Sequence, residues 1–253
     1  MRVFLFVLLL LPQALALRLA FLGDFGAPTP GRGQVAAALR AYHAAHPLDA
    51  LFTLGDNFYP RGEVVEAYLK DLPPVPLYPA FGNHDAPHLR DQLRRFQRER
   101  PYYRVGFPGL AVYVLYTEGD LAGQRAWLEA ELSREKASLR LFLLHRPLYS
   151  SGLHGGSPIL RALFEPLILA HRVPLVLAGH DHHYERLEAK GVVHVVSGGG
   201  GAWLRAPLRP LAYSRARAAA HHFLVLEVGE GTFRLEALGM DLRPLDAFSG
   251  ASP

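Results

Sequence analysis

The chain has 253 residues, no cysteine and a formal net charge of +4. The missing thiols exclude disulfides, zinc–thiolate sites and cysteine nucleophiles. Half of the residues are apolar and a fifth are charged, which excludes wholesale disorder. The basic residues, 24 Arg against three Lys, are scattered rather than clustered. That pattern gives no expectation of nucleic-acid binding, and the positive balance favours small anionic substrates.

Met1-Arg2 makes a short positive start, residues 3–11 are continuously apolar, and Ala14-Leu15-Ala16 is a small-x-small site. Residues 1–16 therefore read as a secretory signal peptide, and the apolar run is too short to span a bilayer. A secreted or periplasmic protein without stable membrane insertion is expected. Residues 19–22 and 50–54 read as apolar strands, each followed closely by Gly-Asp, with a helical spacing over 35–46 between them. A short helix is expected over 64–69 and a strand over 77–81 that runs into Gly-Asn-His-Asp. Residues 89–100 read as an arginine-rich helix with a solvated face. Strands over 110–116 and 139–144 flank a helix over 124–133. A helix over 159–170 is expected to break at Pro166. Residues 174–178 lead into Gly-His-Asp-His, and strands over 192–197, 223–228 and 232–238 finish the chain. Alternating strands and helices predict an α/β fold, and no linker or repeat divides residues 17–253, so one domain is expected.

The polar residues fall in a pattern. Asp24, Asp56, Asn83-His84, His145 and His180-x-His182 each follow an apolar strand run. In α/β sheets, ligands bind just beyond the carboxyl ends of strands, so five strands deliver these groups to one rim. Carboxylates, imidazoles, an amide oxygen and a phenol suit ions such as Fe, Mn and Zn, and a carboxylate between two ions can bridge them. Two such ions can activate water and clamp a phosphoryl group.

Gly23-Asp24-Phe25-Gly26, Gly55-Asp56-Asn57-Phe58-Tyr59, Gly82-Asn83-His84-Asp85, Leu143-Leu144-His145 and Gly179-His180-Asp181-His182 resemble, in order, the five motifs of calcineurin-like metallophosphoesterases. More narrowly they resemble purple acid phosphatases of the small tartrate-resistant type, which Pro101-Tyr102-Tyr103-Arg104 also echoes. Most of the superfamily carries Asp-x-His in the first motif, where this chain has Gly26. The purple branch supplies a tyrosinate from Gly-Asp-x-x-Tyr instead, and Tyr59 stands at that place. The resemblance implies a four-layer α/β/β/α sandwich of two mixed β-sheets flanked by helices. It implies two metal ions: Fe(III) held by Asp24, Asp56, Tyr59 and His182, and Fe(II), Zn or Mn held by Asp56, Asn83, His145 and His180. It implies a metal-dependent phosphatase that cleaves small phosphate monoesters by in-line attack of a metal-bound hydroxide. His84 and His154 would be the outer catalytic histidines, with Asp85, Tyr184, Glu185 and Arg186 in supporting roles.

Two other functions stay open on the same residues. One is a phosphodiesterase or nucleotide pyrophosphohydrolase using the same metals. The other is a phosphate- or metal-binding protein without catalysis. The glycine run at 198–201 lacks a following Lys-Ser/Thr and reads as a tight rim turn, not a phosphate loop.

Overall fold

The computed structural model describes residues 17–207 and 209–251. The expected signal peptide lies outside the described residues. The elements in chain order are β1 (Leu17–Leu22), α1 (Pro30–Ala45), β2 (Ala50–Thr53), α2 (Glu66–Lys70), β3 (Leu77–Tyr78), α3 (Leu89–Arg95), β4 (Tyr103–Phe107), β5 (Leu110–Val114), α4 (Leu121–Leu132), β6 (Leu139–Leu144), α5 (Pro158–Ala170), β7 (Leu175–Ala178), β8 (Tyr184–Ala189), β9 (Val192–Ser197), β10 (Ser214–Ala218), β11 (His222–Gly229), β12 (Thr232–Gly239) and β13 (Pro244–Ala251).

The strands form two mixed sheets, ordered β13-β12-β11-β1-β2-β3 and β10-β8-β9-β7-β6-β5-β4. Strands β1, β2 and β3 run parallel in the first sheet, with β3 at its edge, as do β5, β6, β7 and β9 in the second. Side chains alternate across a strand, and both faces of the central strands are covered, so these strands read as unbroken apolar runs. In β1, Leu19 and Phe21 enter the core between the sheets, while Ala20 and Leu22 pack outward with α1 residues Val35 and Leu39. In β6, Leu139, Leu141 and Leu143 face the inter-sheet core, while Phe142 and Leu144 meet Leu128 of α4 and Phe164 of α5. The layers are thus helix, sheet, sheet, helix, the sandwich that the resemblance implies.

Several elements depart from the sequence expectation. β4, β10 and β13 are polar edge strands, and β8 (YERLEA) carries a carboxylate or guanidinium at three of its six positions. Their apolar pattern is weak because they mix charged, small and half-buried residues. The strand expected over 77–81 shortens to two residues. The helix expected over 89–100 ends at Arg95, and Gln97 adopts a left-handed φ of 54° just beyond it. Its arginine-rich face is solvated as expected, with Arg90, Arg94, Arg95 and Arg100 exposed, while its inner side packs on the protein. Gln92 is fully buried, and Arg98 lies over the rings of Tyr78 and Tyr103. Pro166 does not break α5, which runs from Pro158 to Ala170 with the proline inside it. The apolar face formed by Leu160, Phe164, Leu167 and Ile168 holds the helix against the sheet despite the missing N–H.

Glu135, between α4 and β6, ties this layer to the sheet. Its carboxylate accepts from Arg104 Nε at 2.6 Å, Tyr113 Oη at 3.0 Å and the Ala137 N–H at 2.8 Å. Burial alone would raise this carboxyl, but the Arg104, Ala137 and Tyr113 donors outweigh it and bring it down to about 2. A depressed pKa contributes stability above the unfolded value, and that stability is lost as pH falls toward the folded one. Glu135→Gln should therefore lower Tm by about 5 °C at pH 7, as expected for roughly 2 kcal/mol of charged hydrogen bonding. The deficit relative to wild type should shrink between about pH 4.5 and pH 2, as thermal scans across that window would read.

Candidate metal centre

The seven expected donors come from five strand ends. Asp24 follows β1, Asp56 and Tyr59 follow β2, Asn83 follows β3, His145 follows β6, and His180 and His182 follow β7. The first three strands belong to one sheet and the last two to the other, so the donors meet across the mouth of the sandwich. Backbone rungs hold the turns together: Asp24 N–H donates to Gly55 O at 3.0 Å, and Gly179 N–H to His145 O at 3.0 Å. His145 Nδ1 donates to Leu54 O at 2.9 Å and so ties the two sheets.

The donors fall into two groups that share Asp56. In the first, Tyr59 Oη lies 3.1 Å from Asp24 Oδ1, 2.9 Å from Asp56 Oδ2 and 3.1 Å from His182 Nε2. In the second, His145 Nε2 lies 3.1 Å from Asn83 Oδ1, 3.3 Å from Asp56 Oδ1 and 3.1 Å from His180 Nδ1. Asp24, Asp56 and His145 each offer an atom within 4.8 Å of the others.

The hydrogen count in both groups is short. The Tyr59 hydroxyl has one proton for three neighbouring acceptors. His145 and His182 spend Nδ1–H on the carbonyls of Leu54 and Trp203, at 2.9 Å each. Their Nε2 atoms therefore point into the groups, where each can ligate a cation or hold a proton. Lone pairs converging in a buried space repel unless a cation lies between them. In the metal-free protein, protons take that place. Burial would depress the His145 imidazole, but Asp56 and Asp24 pull it up to about 10. Burial, His145 and Arg146 push His180 down to about 2. Burial, then Asp24 and Asp56, drive the Tyr59 hydroxyl far above its ordinary value. Without a cation these groups compete for protons, and the donor set fits two metal ions.

Local backbone geometry bends to this arrangement. Asp24, Asp56 and His180 all adopt left-handed φ values, of 57°, 54° and 73°. Such strain in non-glycine residues is held only where surrounding structure over-determines it. A Cβ on Gly82 would lie 2.2 Å from Asp56 Oδ1, so only glycine leaves that carboxylate its place. A Cβ on Gly26 would lie 1.9 Å from Asn57 O, because the 56–59 turn closes over it, with Tyr59 N–H donating to Gly26 O at 3.0 Å. The turn that brings Tyr59 in leaves no room for a larger residue at 26.

Residues 17–184 match the family model described as calcineurin-like phosphoesterase. The chain belongs to the calcineurin-like phosphoesterase family. Tartrate-resistant acid phosphatase type 5 of rabbit (Oryctolagus cuniculus) is 30% identical in an alignment 236 positions long that covers 73% of each chain. The purple acid phosphatase PPD1 from yellow lupin (Lupinus luteus) seeds superposes with a TM-score of 0.84 at 22% identity, over 94% of this chain and 54% of that one. GAP50, the anchor in the inner membrane complex of Plasmodium, superposes with a TM-score of 0.83 at 19% identity, over 94% and 90%. The two structural likenesses establish the fold. The sequence relatives put the chain in the purple acid phosphatase branch of these metal-dependent hydrolases.

Around the donors, the phosphoesterase carries a cavity of about 440 Å³ that both expected outer histidines line. His84 packs its ring 4.3 Å from that of Tyr59, bonds Pro60 O through Nδ1 at 2.6 Å and sets Nε2 4.0 Å from Asp56 Oδ2. His154 lies over His180, with ring centroids 4.4 Å apart. The two histidines thus flank opposite groups of donors.

The supporting residues are distinct in kind. Asp85 is fully buried and accepts from the N–H groups of Asn57 at 2.9 Å and Gly82 at 2.8 Å, locking the two turns together. Burial and the nearby Asp56 raise its carboxyl to about 7. Glu185 accepts from Ser151 N–H and Oγ. Tyr184 and Arg186 both bond Asp246 of β13, clasping one sheet to the other.

Four residues of the site escape sequence reasoning. Asp181, between two donor histidines, accepts from Ser150 Oγ at 2.5 Å and from His154 N–H at 2.9 Å, and so positions the loop that carries His154. Arg146, paired with Glu118, touches His180 Nε2 at 3.1 Å. Trp203 and Arg205 line the cavity from the segment after β9. Asp181 and Arg146 stand beside motif residues, which was a usable signal. Trp203 and Arg205 had none.

Proposed function

We propose that the chain hydrolyses phosphate monoesters at a dinuclear centre, with Fe(III) held by Asp24, Asp56, Tyr59 and His182. Fe(II), Zn or Mn would be held by Asp56, Asn83, His145 and His180. The observation that carries the reading is the division of seven donors into two groups of four that share the two oxygens of Asp56. When bound, the pair of ions supplies Lewis acidity toward the phosphoryl oxygens and an activated water nucleophile.

The chain's own residues do the rest. Asp56 and Asp24 place three carboxylate oxygens toward the donor groups and a fourth on the turn that bears His180, and would neutralise part of the ionic charge. Asp24 Oδ2 also accepts from His180 N–H at 2.9 Å, so the carboxylate cannot rotate freely. His84 holds its Nδ1 proton on Pro60 O, which leaves Nε2 facing the cavity to hold a proton for the departing oxygen. His154 borders the other end of the cavity, where it would meet the phosphoryl group or leaving group. Tyr59, His182 and Trp203 form edge-to-face contacts that keep the first group rigid.

p-Nitrophenyl phosphate and bis(p-nitrophenyl) phosphate test the reading directly. The monoester should turn over at least tenfold faster, as kcat/KM would report. Preferred turnover of the diester would replace the monoesterase reading with phosphodiesterase chemistry on the same donors. The apolar run at residues 3–11 and the Ala-x-Ala site support export of the enzyme. N-terminal sequencing of the extracytoplasmic protein should begin at Leu17; a retained Met1 would contradict cleavage.

A further inference from the structure

The segment after β9 is fastened to the donor turns. Gly200 N–H donates to Gly23 O at 2.9 Å, Ala202 N–H to Asp24 O at 3.0 Å and Arg205 N–H to His182 O at 3.0 Å. Trp203 O accepts the His182 Nδ1 proton. Trp203 and Arg205 both line the cavity.

Trp203 is 58% exposed, although its ring stands perpendicular to Tyr59 with centroids 6.3 Å apart. The chain's other tryptophan, Trp127, is packed between Tyr102 and Tyr113 with Arg100 over its ring. An indole left open at the edge of the site offers a planar stacking face. Pro28 and Pro60 extend the apolar lip of the same cavity.

Arg205 adds a charge. Its side-chain hydrogen bond is to His154 Nε2 at 3.5 Å, and among the described residues it pairs with no carboxylate. Arg146 differs, because Glu118 holds it in two contacts. A guanidinium without a counter-charge, set beside two cavity histidines, is suited to a second anionic group on the substrate.

We propose that Trp203 and Arg205 form a leaving-group subsite, selecting substrates whose leaving group carries both a planar ring and a second anion. The inference rests on the hydrolytic reading above. A nucleoside diphosphate and a phosphorylated aromatic amino acid share this chemistry. In each, the terminal phosphoryl group would reach the donor groups while the ring stacks on Trp203 and the second anion pairs with Arg205.

The metal-loaded enzyme would be assayed with glycerol 3-phosphate, phenyl phosphate, ADP and O-phosphotyrosine. Trp203→Ala should cut kcat/KM for phenyl phosphate and ADP, each relative to glycerol 3-phosphate, by about tenfold through KM. Trp203→Phe should restore most of that preference. Arg205→Gln should cut the ADP preference by about tenfold and spare that for phenyl phosphate. The better of ADP and O-phosphotyrosine in wild type identifies which source the subsite fits. Unchanged preferences, or an equal loss on every substrate, would overturn the subsite.

Binding separates this inference from the reading beneath it. The methylene-bridged analogue of ADP should quench tryptophan fluorescence in wild type and not in Trp203→Ala. Quenching without any turnover would sink the hydrolytic reading and keep the subsite. Absence of quenching would overturn the subsite even in an active enzyme.

Discussion

Asp56→Asn should empty both metal positions and lower kcat/KM by about a thousandfold or more, which corresponds to roughly 4 kcal/mol. The reason is geometric. Asp56 Oδ2 faces Tyr59 Oη at 2.9 Å, and Oδ1 faces His145 Nε2 at 3.3 Å while accepting from His84 N–H at 3.0 Å. An amide in that place turns an N–H toward one group or the other whichever way it is oriented, so one set of donors always gains a hydrogen where a cation should sit. It also removes the one negative charge common to both groups. Burial would raise the Asp56 carboxyl, but His145 and His84 hold it well below the usual carboxylate range. The charge is therefore present throughout the neutral range. Metal analysis by mass spectrometry, set beside the kinetics, checks the result. Two retained ions with less than a tenfold loss of activity would contradict the bridging role.

How much of this was readable beforehand depended on where each residue's contacts lie. β1, β6 and β7 were legible because both faces are buried, which makes LRLAFL, LRLFLL and LVLA largely apolar runs. Asp24, Asp56, Asn83, His145 and His180 were legible because each closely follows an apolar stretch, and Tyr59 because Gly-Asp-x-x-Tyr resembles the motif of the purple branch. The edge strands were not, since β13 (PLDAFSGA) takes its conformation from pairing with β12, not from its own pattern. Trp203 and Arg205 were invisible for a related reason. Their placement depends on bonds to Asp24 and His182, which come from different strands, and no local spacing records that. The arginine-rich face of residues 89–100 is solvated as read, with Arg90, Arg94, Arg95 and Arg100 exposed, but Gln92 turns inward to Asp85, donating to it at 2.8 Å. A single buried amide on an otherwise charged helix leaves no periodic trace. Gly26 stands where most of the superfamily has a donor histidine, and the structure gives the cause: the turn that delivers Tyr59 closes over that glycine.

Tyr59→Phe should abolish visible colour while leaving the fold intact. The phenol oxygen meets Asp24, Asp56 and His182, all within 3.1 Å. Burial and those two carboxylates hold its proton far more tightly than in free tyrosine, so alkali alone should not ionise it in the metal-free protein. A cation strong enough to displace that proton must outweigh two carboxylates, which favours a trivalent ion over a divalent one. Wild type should then show a tyrosinate-to-iron absorption band at neutral pH. Chelation should remove the band and draw one proton from solution as the phenol re-forms. Phenylalanine keeps the ring against His84 and Trp203 and deletes only the oxygen. Iron affinity should fall about tenfold to a hundredfold, the band should vanish and Tm of the metal-free protein should stay within a few degrees. A colourless, iron-free wild type with full activity would overturn the ferric assignment and leave the hydrolytic one standing, since Asp56, Asn83, His145 and His180 would still hold the second ion.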